Sequence, residues 1–124
     1  MSDTRKELGE KGEKAAQMFL SDRGMEILET NWKCSYGEVD IIARDENAIV
    51  FCEVKTRRTT SAGIPEEAIT QKKRERYIRM ARLYLSRNDV AHQELRFDVI
   101  GIYALNDTQA LLRYARNAFD ASGD

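Results

Sequence analysis

Three charged side chains interrupt two otherwise apolar segments near the middle of the sequence. Asp40 lies within residues 38–44, and Glu53 and Lys55 lie within residues 48–55. Charged groups are rare inside apolar strands unless they are paired or bind a ligand. Two converging carboxylates are suitable ligands for Mg²⁺ or Mn²⁺, and a neighbouring lysine can orient a water and stabilise charge on a phosphate. The residue types indicate metal-assisted phosphodiester cleavage; the alternative is an ion network that serves only the fold.

The spacing of the two segments predicts a β-hairpin that would bring these charges together. With Glu46-Asn47 as a two-residue tip, Asp45 pairs with Ala48 and Asp40 lies opposite Glu53. The Cβ atoms of such a pair are roughly 4.5–5.5 Å apart, and like charges at that distance destabilise a hairpin. A bound cation would remove this difficulty.

Apolar residues occur on both faces of the predicted hairpin, so we expect it to be central and covered on both sides. Side chains alternate between the faces of a strand, which places Glu53 and Lys55 on one face. The face opposite to Asp40 and Glu53 is expected to carry Val39, Ile41, Ala43, Val50 and Cys52.

Apolar periodicity and turn residues along the chain predict two helices and five strands. The expected fold class is α/β (α+β mixed), with a central mixed sheet of about five strands flanked by helices in the order α-β-β-β-α-β-β. We expect a single domain over residues 1–124, with its core at about 9–119. The predicted elements are a helix ending at Gly24, strands at 25–32, 38–44 and 48–55, a helix at 71–87 capped by Thr70, and strands at 95–103 and 110–115, with loops at 33–36 and 59–65.

Positive charge is concentrated in one part of a nearly neutral chain. The net charge is −1, but residues 53–87 hold ten Lys/Arg and four Asp/Glu, a balance of +6 against −7 for the remainder. On the second helix, three basic residues recur at helical spacing and could hold a phosphate backbone; the alternative is an ordinary solvated face. The candidate nucleic-acid-binding residues are Arg57, Arg58, Lys72, Lys73, Arg76 and Arg79.

Several function classes are disfavoured by composition. No apolar run approaches the roughly 20 residues needed to span a bilayer, and the polar N-terminus is unlike a secretory signal. Two cysteines do not make a disulfide framework, which favours a reduced, cytoplasmic setting. The sequence has no Gly-rich phosphate loop or dinucleotide-binding motif, so we expect no nucleotide cofactor.

An ordered series of short motifs resembles a known family. "GEKGEKAAQMFL", "GEVDIIA", "VFCEVKTR", Lys73 before "ARLYL", and "RFDVI" are similar to the YraN family of small bacterial proteins, inferred to be endonucleases. That family is part of the PD-(D/E)xK superfamily, which includes restriction endonucleases and archaeal Holliday-junction resolvases. The resemblance covers about residues 9–119 and implies a restriction-endonuclease-like fold and hydrolysis of DNA with Mg²⁺ or Mn²⁺.

The resemblance also implies roles for individual residues. Asp40 and Glu53 match metal ligands, and Lys55 matches the catalytic lysine. Glu13 matches a first-helix acid that helps to hold the metal or its water. Glu38 matches a family position of less defined role, which could support the site from behind its ligands.

Other residues and functions stay open from sequence. Arg96 and Asp98 share a strand face and could either pair with each other or support the site. The main hypothesis is a metal-dependent endonuclease acting on DNA, with branched or single-stranded DNA as candidate substrates. The alternatives are a nucleic-acid-binding module with little turnover and a structural partner in a repair or recombination complex. The oligomeric state is open, with a homodimer among the possibilities.

Overall fold

The structure, a computed structural model, describes residues 5–58, 69–88 and 93–120. The predicted loop at 59–65 lies outside these residues. The predicted order of elements is confirmed. The elements are α1 (Arg5–Asp22), β1 (Glu26–Cys34), β2 (Gly37–Asp45), β3 (Ala48–Arg57), α2 (Gln71–Arg87), β4 (Glu94–Ala104) and β5 (Ala110–Phe119).

The five strands form one mixed sheet in the order β1-β2-β3-β4-β5. Strands β3 and β4 are parallel, and the other three neighbouring pairs are antiparallel. A parallel pair needs a crossover connection, and α2 lies within it. Strand β3 is the middle strand of the sheet, and its residue Glu53 is paired with Val99 of β4.

Each helix covers one face of the sheet. Ala16 and Leu20 of α1 pack against one face, together with Val50 and Cys52 of β3. The stripe of α2 that includes Tyr77 and Ala81 packs against the other face. We call these the α1-side core and the α2-side core. The expected burial of the hairpin on both faces is confirmed.

The predicted register of the hairpin is confirmed from its tip as far as Ile41–Cys52, whereas the expected pair Asp40–Glu53 is not part of the ladder between β2 and β3. Asp45 pairs with Ala48, and the ladder between β2 and β3 continues as far as the pair Ile41–Cys52. The next position toward the open end of the hairpin is Asp40. The backbone pairing between β2 and β3 thus stops where the candidate site begins.

The prediction for Val39 is wrong, because the alternation of side chains along β2 is interrupted at Asp40. Val39 and Ile42 both pack in the α2-side core, whereas Ile41 packs in the α1-side core. On the paired strand β1, Asn31 lies at the same level and has a φ of 52°, a left-handed conformation that Asn tolerates better than most residues.

Two strand boundaries differ from expectation. The loop predicted at 33–36 is shorter, because Lys33 pairs with Glu38 and Cys34 pairs with Gly37, whose φ of 141° suits a tight turn. Strand β5 extends to Phe119 instead of ending near 115. It does so through an irregularity in its pairing with β4, which the alternation pattern does not show.

Candidate active site

Glu53 is the buried centre of the candidate site, with 6% of its surface exposed. The Tyr77 hydroxyl donates to Glu53 Oε1, and the Lys73 ammonium donates to Oε2. Lys55 Nζ lies 3.7 Å from the same Oε2. A buried carboxylate is tolerated only when it is paired, and these three groups supply the pairing.

The start of α2 determines how Lys73 and Tyr77 reach Glu53. Thr70 is the N-cap, and its side chain accepts a hydrogen bond of 3.1 Å from Lys73 N. Residues four apart on a helix lie on one face, so Lys73 and Tyr77 both point at the sheet. The cap therefore positions the cation and the hydroxyl that hold Glu53.

Asp40 occupies the place where the ladder between β2 and β3 ends. Its Oδ2 accepts a hydrogen bond of 2.8 Å from Val54 N, in place of a backbone carbonyl. Burial and, after it, the charges of Glu53, Glu13 and Glu38 together raise the pKa of Asp40 to about 7, against the lowering effect of the Val54 bond.

Two more carboxylates meet at Asn31. With its amide nitrogen turned toward them, Asn31 donates to Glu38 Oε2 at 2.9 Å and to Glu13 Oε1 at 3.2 Å. Burial raises the pKa of Glu13, and the charges of Glu38, Glu10 and Glu53 act in the same direction, while the bond from Asn31 opposes them. Asn31 thus links α1 to the start of β2.

Close packing of α1 on β3 brings Glu13 to the site. A Cβ on Gly12 would lie 2.3 Å from Thr56 Oγ1 and 3.3 Å from Thr56 Cβ. Only glycine permits this approach of helix and strand. Glu13, the next residue, shares an open cleft of about 550 Å³ with Lys55 and Arg57.

The charges of the cluster are unbalanced. Burial lowers the pKa of Lys55, and the nearby Lys73 ammonium lowers it further, while Glu53 acts in the opposite direction. When all groups are ionised, two lysines face four carboxylates, an excess of two negative charges. The carboxylates are Glu13, Glu38, Asp40 and Glu53.

The donor chemistry fits a divalent cation, although the cluster is not arranged as an ion cage. Within residues 5–58, 69–88 and 93–120, no three acidic, histidine or cysteine side chains already converge closely enough to hold a metal. Both oxygens of Glu53 are engaged by Tyr77 and Lys73. The oxygen donors and the excess of two negative charges nonetheless suit Mg²⁺ or Mn²⁺.

The candidate nucleic-acid-binding residues lie in three places. Lys73 belongs to the cluster around Glu53, so it is placed differently from its exposed neighbours on α2. Arg76 lies against Gly37 at the start of β2, with its side chain 3.5 Å from where a Cβ would be. Arg57 lines the cleft beside Lys55, as does Arg58. The exposed residues on α2 are Lys72, Arg76 and Arg79.

Arg96 and Asp98 lie on the opposite face of the sheet from Glu53. Asp98 is paired across β3–β4 with Cys52, which packs in the α1-side core. Arg96 Nε donates to Asp98 Oδ1 at 3.1 Å, and Arg96 Nη1 donates to Asp45 at 2.8 Å. The predicted alternative of mutual pairing is the one that the structure shows.

Two residues of the site have no counterpart among the sequence candidates. Tyr77 fits the buried stripe of α2, and nothing in that pattern says that its hydroxyl meets Glu53. Asn31 lies in a strand of mixed polarity, and its φ of 52° depends on the pairing with β2. The one sequence signal was the spacing of Lys73 and Tyr77, which places both on one helical face.

The fold and the site together define a class: an α/β protein with a five-stranded mixed sheet between two helices, and an acidic cluster with lysines where its central hairpin opens. The chain belongs to the uncharacterised protein family UPF0102, whose family model matches residues 12–102. The resemblance to the YraN family is thereby confirmed.

Relatives from several bacteria support the assignment. A UPF0102 protein of Nocardia farcinica is 50% identical over 95 residues, which cover 77% of this chain and 75% of the relative. A UPF0102 protein of Caldicellulosiruptor saccharolyticus is 43% identical over 116 residues, 93% of this chain and 98% of the relative.

A distant likeness exists among solved structures. The structure of Pyrococcus furiosus SfsA in complex with Ca²⁺ aligns with 90% of this chain at a TM-score of 0.43 and 11% identity. The chain spans 63% of that protein. Among the residues that the present structure describes, neither helix is long and apolar enough to cross a membrane.

Proposed function

We propose that the protein is a divalent-metal-dependent endonuclease that hydrolyses phosphodiester bonds in nucleic acid, with DNA as the expected substrate. The observation that carries the proposal is the environment of Asp40. Its pKa is raised to about 7 by burial and by the carboxylates of Glu53, Glu13 and Glu38, and its Oδ2 is fixed by the bond from Val54 N at the open end of the hairpin. The repulsion among these carboxylates destabilises the metal-free fold. A bound cation would offset it by attracting all of them.

Asp40 and Glu53 would hold the ion, and Glu13 would hold it or one of its waters. Mg²⁺ or Mn²⁺ would lower the pKa of a bound water and polarise an oxygen of the phosphate. The protein supplies oxygen ligands from α1, β2 and β3, and these elements are fixed relative to one another by the packing of Gly12 on Thr56.

Lys55 would act on the attacking water in this mechanism. Its Nζ lies beside Glu53, and its lowered pKa makes the ammonium a readier proton donor than an ordinary lysine. It would orient the attacking hydroxide by a hydrogen bond and stabilise the charge that develops on the phosphate, with the 3′ oxygen leaving.

Exposed groups around the site suit a nucleic-acid strand. Lys72, Arg76 and Arg79 present positive charge along α2, and Arg57 continues it beside Lys55. Tyr36, with 46% of its surface exposed, lies next to the glycine that Arg76 covers. An exposed aromatic ring beside an arginine can stack on an unpaired base, which supports single-stranded or branched DNA as the substrate.

One observation favours a second function, a nucleic-acid-binding module with little or no catalysis. Lys73 and Tyr77 already engage both oxygens of Glu53. If this arrangement persisted with substrate bound, the carboxylate would serve the fold, and the basic residues would serve binding alone.

A cleavage panel separates the two functions. Single-stranded, duplex, flap and four-way DNA would be incubated with the protein in Mg²⁺, in Mn²⁺ and in chelator. A nuclease cuts at least one substrate with either ion, loses cutting in chelator and in Asp40→Asn, and keeps DNA binding in that variant. Binding of DNA without cutting of any of the four substrates in either ion would support the binding module instead.

A further inference from the structure

Glu53 has two ammonium partners on a single oxygen. Lys73 Nζ donates directly to Oε2, and Lys55 Nζ lies 3.7 Å from the same atom. The side chains of Lys73 and Lys55 are 20% and 29% exposed, whereas that of Glu53 is 8% exposed. The two lysines do not share the carboxylate evenly, because Lys73 is the direct partner of Oε2 and Lys55 lies farther from it.

The two lysines come from different parts of the fold. Lys55 follows Glu53 on β3 and shares its strand face, whereas Lys73 is delivered by α2 through the Thr70 cap. The two ammonium groups repel each other, and this repulsion contributes to the lowered pKa of Lys55. Glu53 and the packing of α2 on the sheet thus hold Lys73 close to a second ammonium group, that of Lys55.

A divalent ion on Glu53 would meet Lys73 at the same oxygen. Carboxylate oxygens lie about 2.0–2.6 Å from a bound Mg²⁺ or Ca²⁺, so an ion on Oε2 would occupy space beside the ammonium that already donates to this oxygen. Two cations on one oxygen repel strongly, since charges near a protein surface interact by several kcal/mol at 4 Å. The ion therefore gains Glu53 as a full ligand only if Lys73 gives way.

We propose that Lys73 acts as a resident cation that competes with the divalent metal for Glu53, so that the position of α2 sets the affinity of the site for metal. The inference rests on the proposed function, because it assumes that Glu53 is a metal ligand. Lys73 stabilises the metal-free protein by neutralising a buried carboxylate. The same contact weakens the binding of the metal.

The test compares Mn²⁺ affinity in two neighbouring lysine variants. Lys73→Met removes the competing cation, whereas Lys72→Met removes an equal charge one residue away, at an exposed position. We expect Lys73→Met to bind Mn²⁺ about tenfold more tightly than wild type, at the lower end of the effects that neighbours of metal ligands have on affinity. Lys72→Met should stay near wild type because an exposed charge is screened by solvent and salt.

Isothermal titration with Mn²⁺ gives the dissociation constants, and circular dichroism checks the fold. If Lys73→Met does not fold, Lys73→Gln keeps a hydrogen-bond donor to Oε2 without the charge and is expected to show the same gain. Tyr77→Phe removes a neutral donor from the other oxygen of Glu53 and should not tighten binding.

The outcomes distinguish this inference from the proposed function. Tighter binding in Lys73→Met than in Lys72→Met supports the inference, including the case in which wild type shows no binding at all. If wild type binds Mn²⁺ and Lys73→Met binds no more tightly than Lys72→Met, the competition is refuted while the metal site stands. If none of the proteins binds Mn²⁺, both proposals are overturned.

Discussion

Asp40 lies near other carboxylates, and its substitution distinguishes a metal site from an ion network that serves only the fold. Asp40→Asn removes one charge and keeps an oxygen that can accept from Val54 N. We expect the free energy of unfolding without metal to stay the same or to rise by up to ~1 kcal/mol, the range of a like-charge cross-strand pair. At ten times its dissociation constant, Mn²⁺ should stabilise wild type by about 1.4 kcal/mol, because only the folded state presents the site.

Thermal melts of both proteins, in chelator and in Mn²⁺, measure these changes. The variant should lose most of the stabilisation by Mn²⁺. A network that serves only the fold predicts the opposite pattern: a destabilised variant and a wild type that does not respond to the ion.

The pKa of Asp40 also predicts how stability depends on pH. Its folded-state pKa of about 7 lies above the ordinary value of 3.8, so between these values the folded state keeps a proton that the unfolded state releases. The contribution of Asp40 to stability is therefore present below about pH 4 and is lost as the pH rises to 7.

Urea unfolding in chelator from pH 4.5 to pH 8 tests this dependence. The stability of Asp40→Asn relative to wild type should increase up to about pH 7 and then stay constant. Parallel curves for the two proteins across this range would show that Asp40 is ionised in both states.

At the scale of elements, the close contact between α1 and β3 predicts opposite changes in stability when two glycines of α1 are replaced by alanine. A Cβ on Gly12 would meet Thr56 Oγ1 at 2.3 Å, whereas a Cβ on Gly9 meets nothing within 4 Å. Gly9→Ala should stabilise the protein by roughly 0.5–1 kcal/mol through helix propensity. Gly12→Ala should destabilise it by about 1–3 kcal/mol through overpacking.

Chemical denaturation of both variants measures these free energies. The double variant Gly12→Ala/Thr56→Ala should recover much of the loss, since it removes the hydroxyl that clashes. Equal stabilisation by both single variants would mean that α1 does not lie this close to β3.

Helix α2 is expected to make the affinity for DNA depend on salt concentration. If its exposed basic residues contact phosphates, the logarithm of DNA affinity should fall with the logarithm of salt concentration, by roughly 0.7–0.9 per contact. Replacement of Lys72, Arg76 and Arg79 by glutamine should flatten the slope without unfolding the protein.

Fluorescence anisotropy with labelled single-stranded DNA at several salt concentrations gives the slope. The matched control replaces three exposed basic residues on other elements, Lys14, Arg113 and Arg116, and should leave the slope near that of wild type. If the control flattens the slope as much as the α2 variant, binding depends on net charge and not on the α2 surface.

For the molecule as a whole, the two cores share the strands β2, β3 and β4 and should unfold together. Trp32, the one tryptophan, packs edge-on against Tyr84 on the α2 side, so its fluorescence reports on that core. Its unfolding curve in urea should coincide with that of far-ultraviolet circular dichroism, which reports on all elements. Two separated transitions would show that the α1 and α2 sides fold as independent units.

Local patterns were enough to predict the hairpin, because period-two alternation and a two-residue tip determine its register. The placement of Arg96 beside Asp98 followed from the same period. The partners of Glu53 from α2 were not predictable in this way, since they depend on how the helix docks on the sheet. Val39 was placed on the wrong face because the alternation along β2 is interrupted at Asp40, and period-two alternation does not show such an interruption.

Asp40 lies within electrostatic reach of carboxylates that come from different layers of the protein. Glu13 lies on α1, and Glu53 is held by Lys73 of α2. Both carboxylates raise the pKa of Asp40. A group that binds beside α1 can therefore change the electrostatic potential felt on the α2 side through Coulomb interaction alone. Communication between the two helices at this point needs no movement of either one.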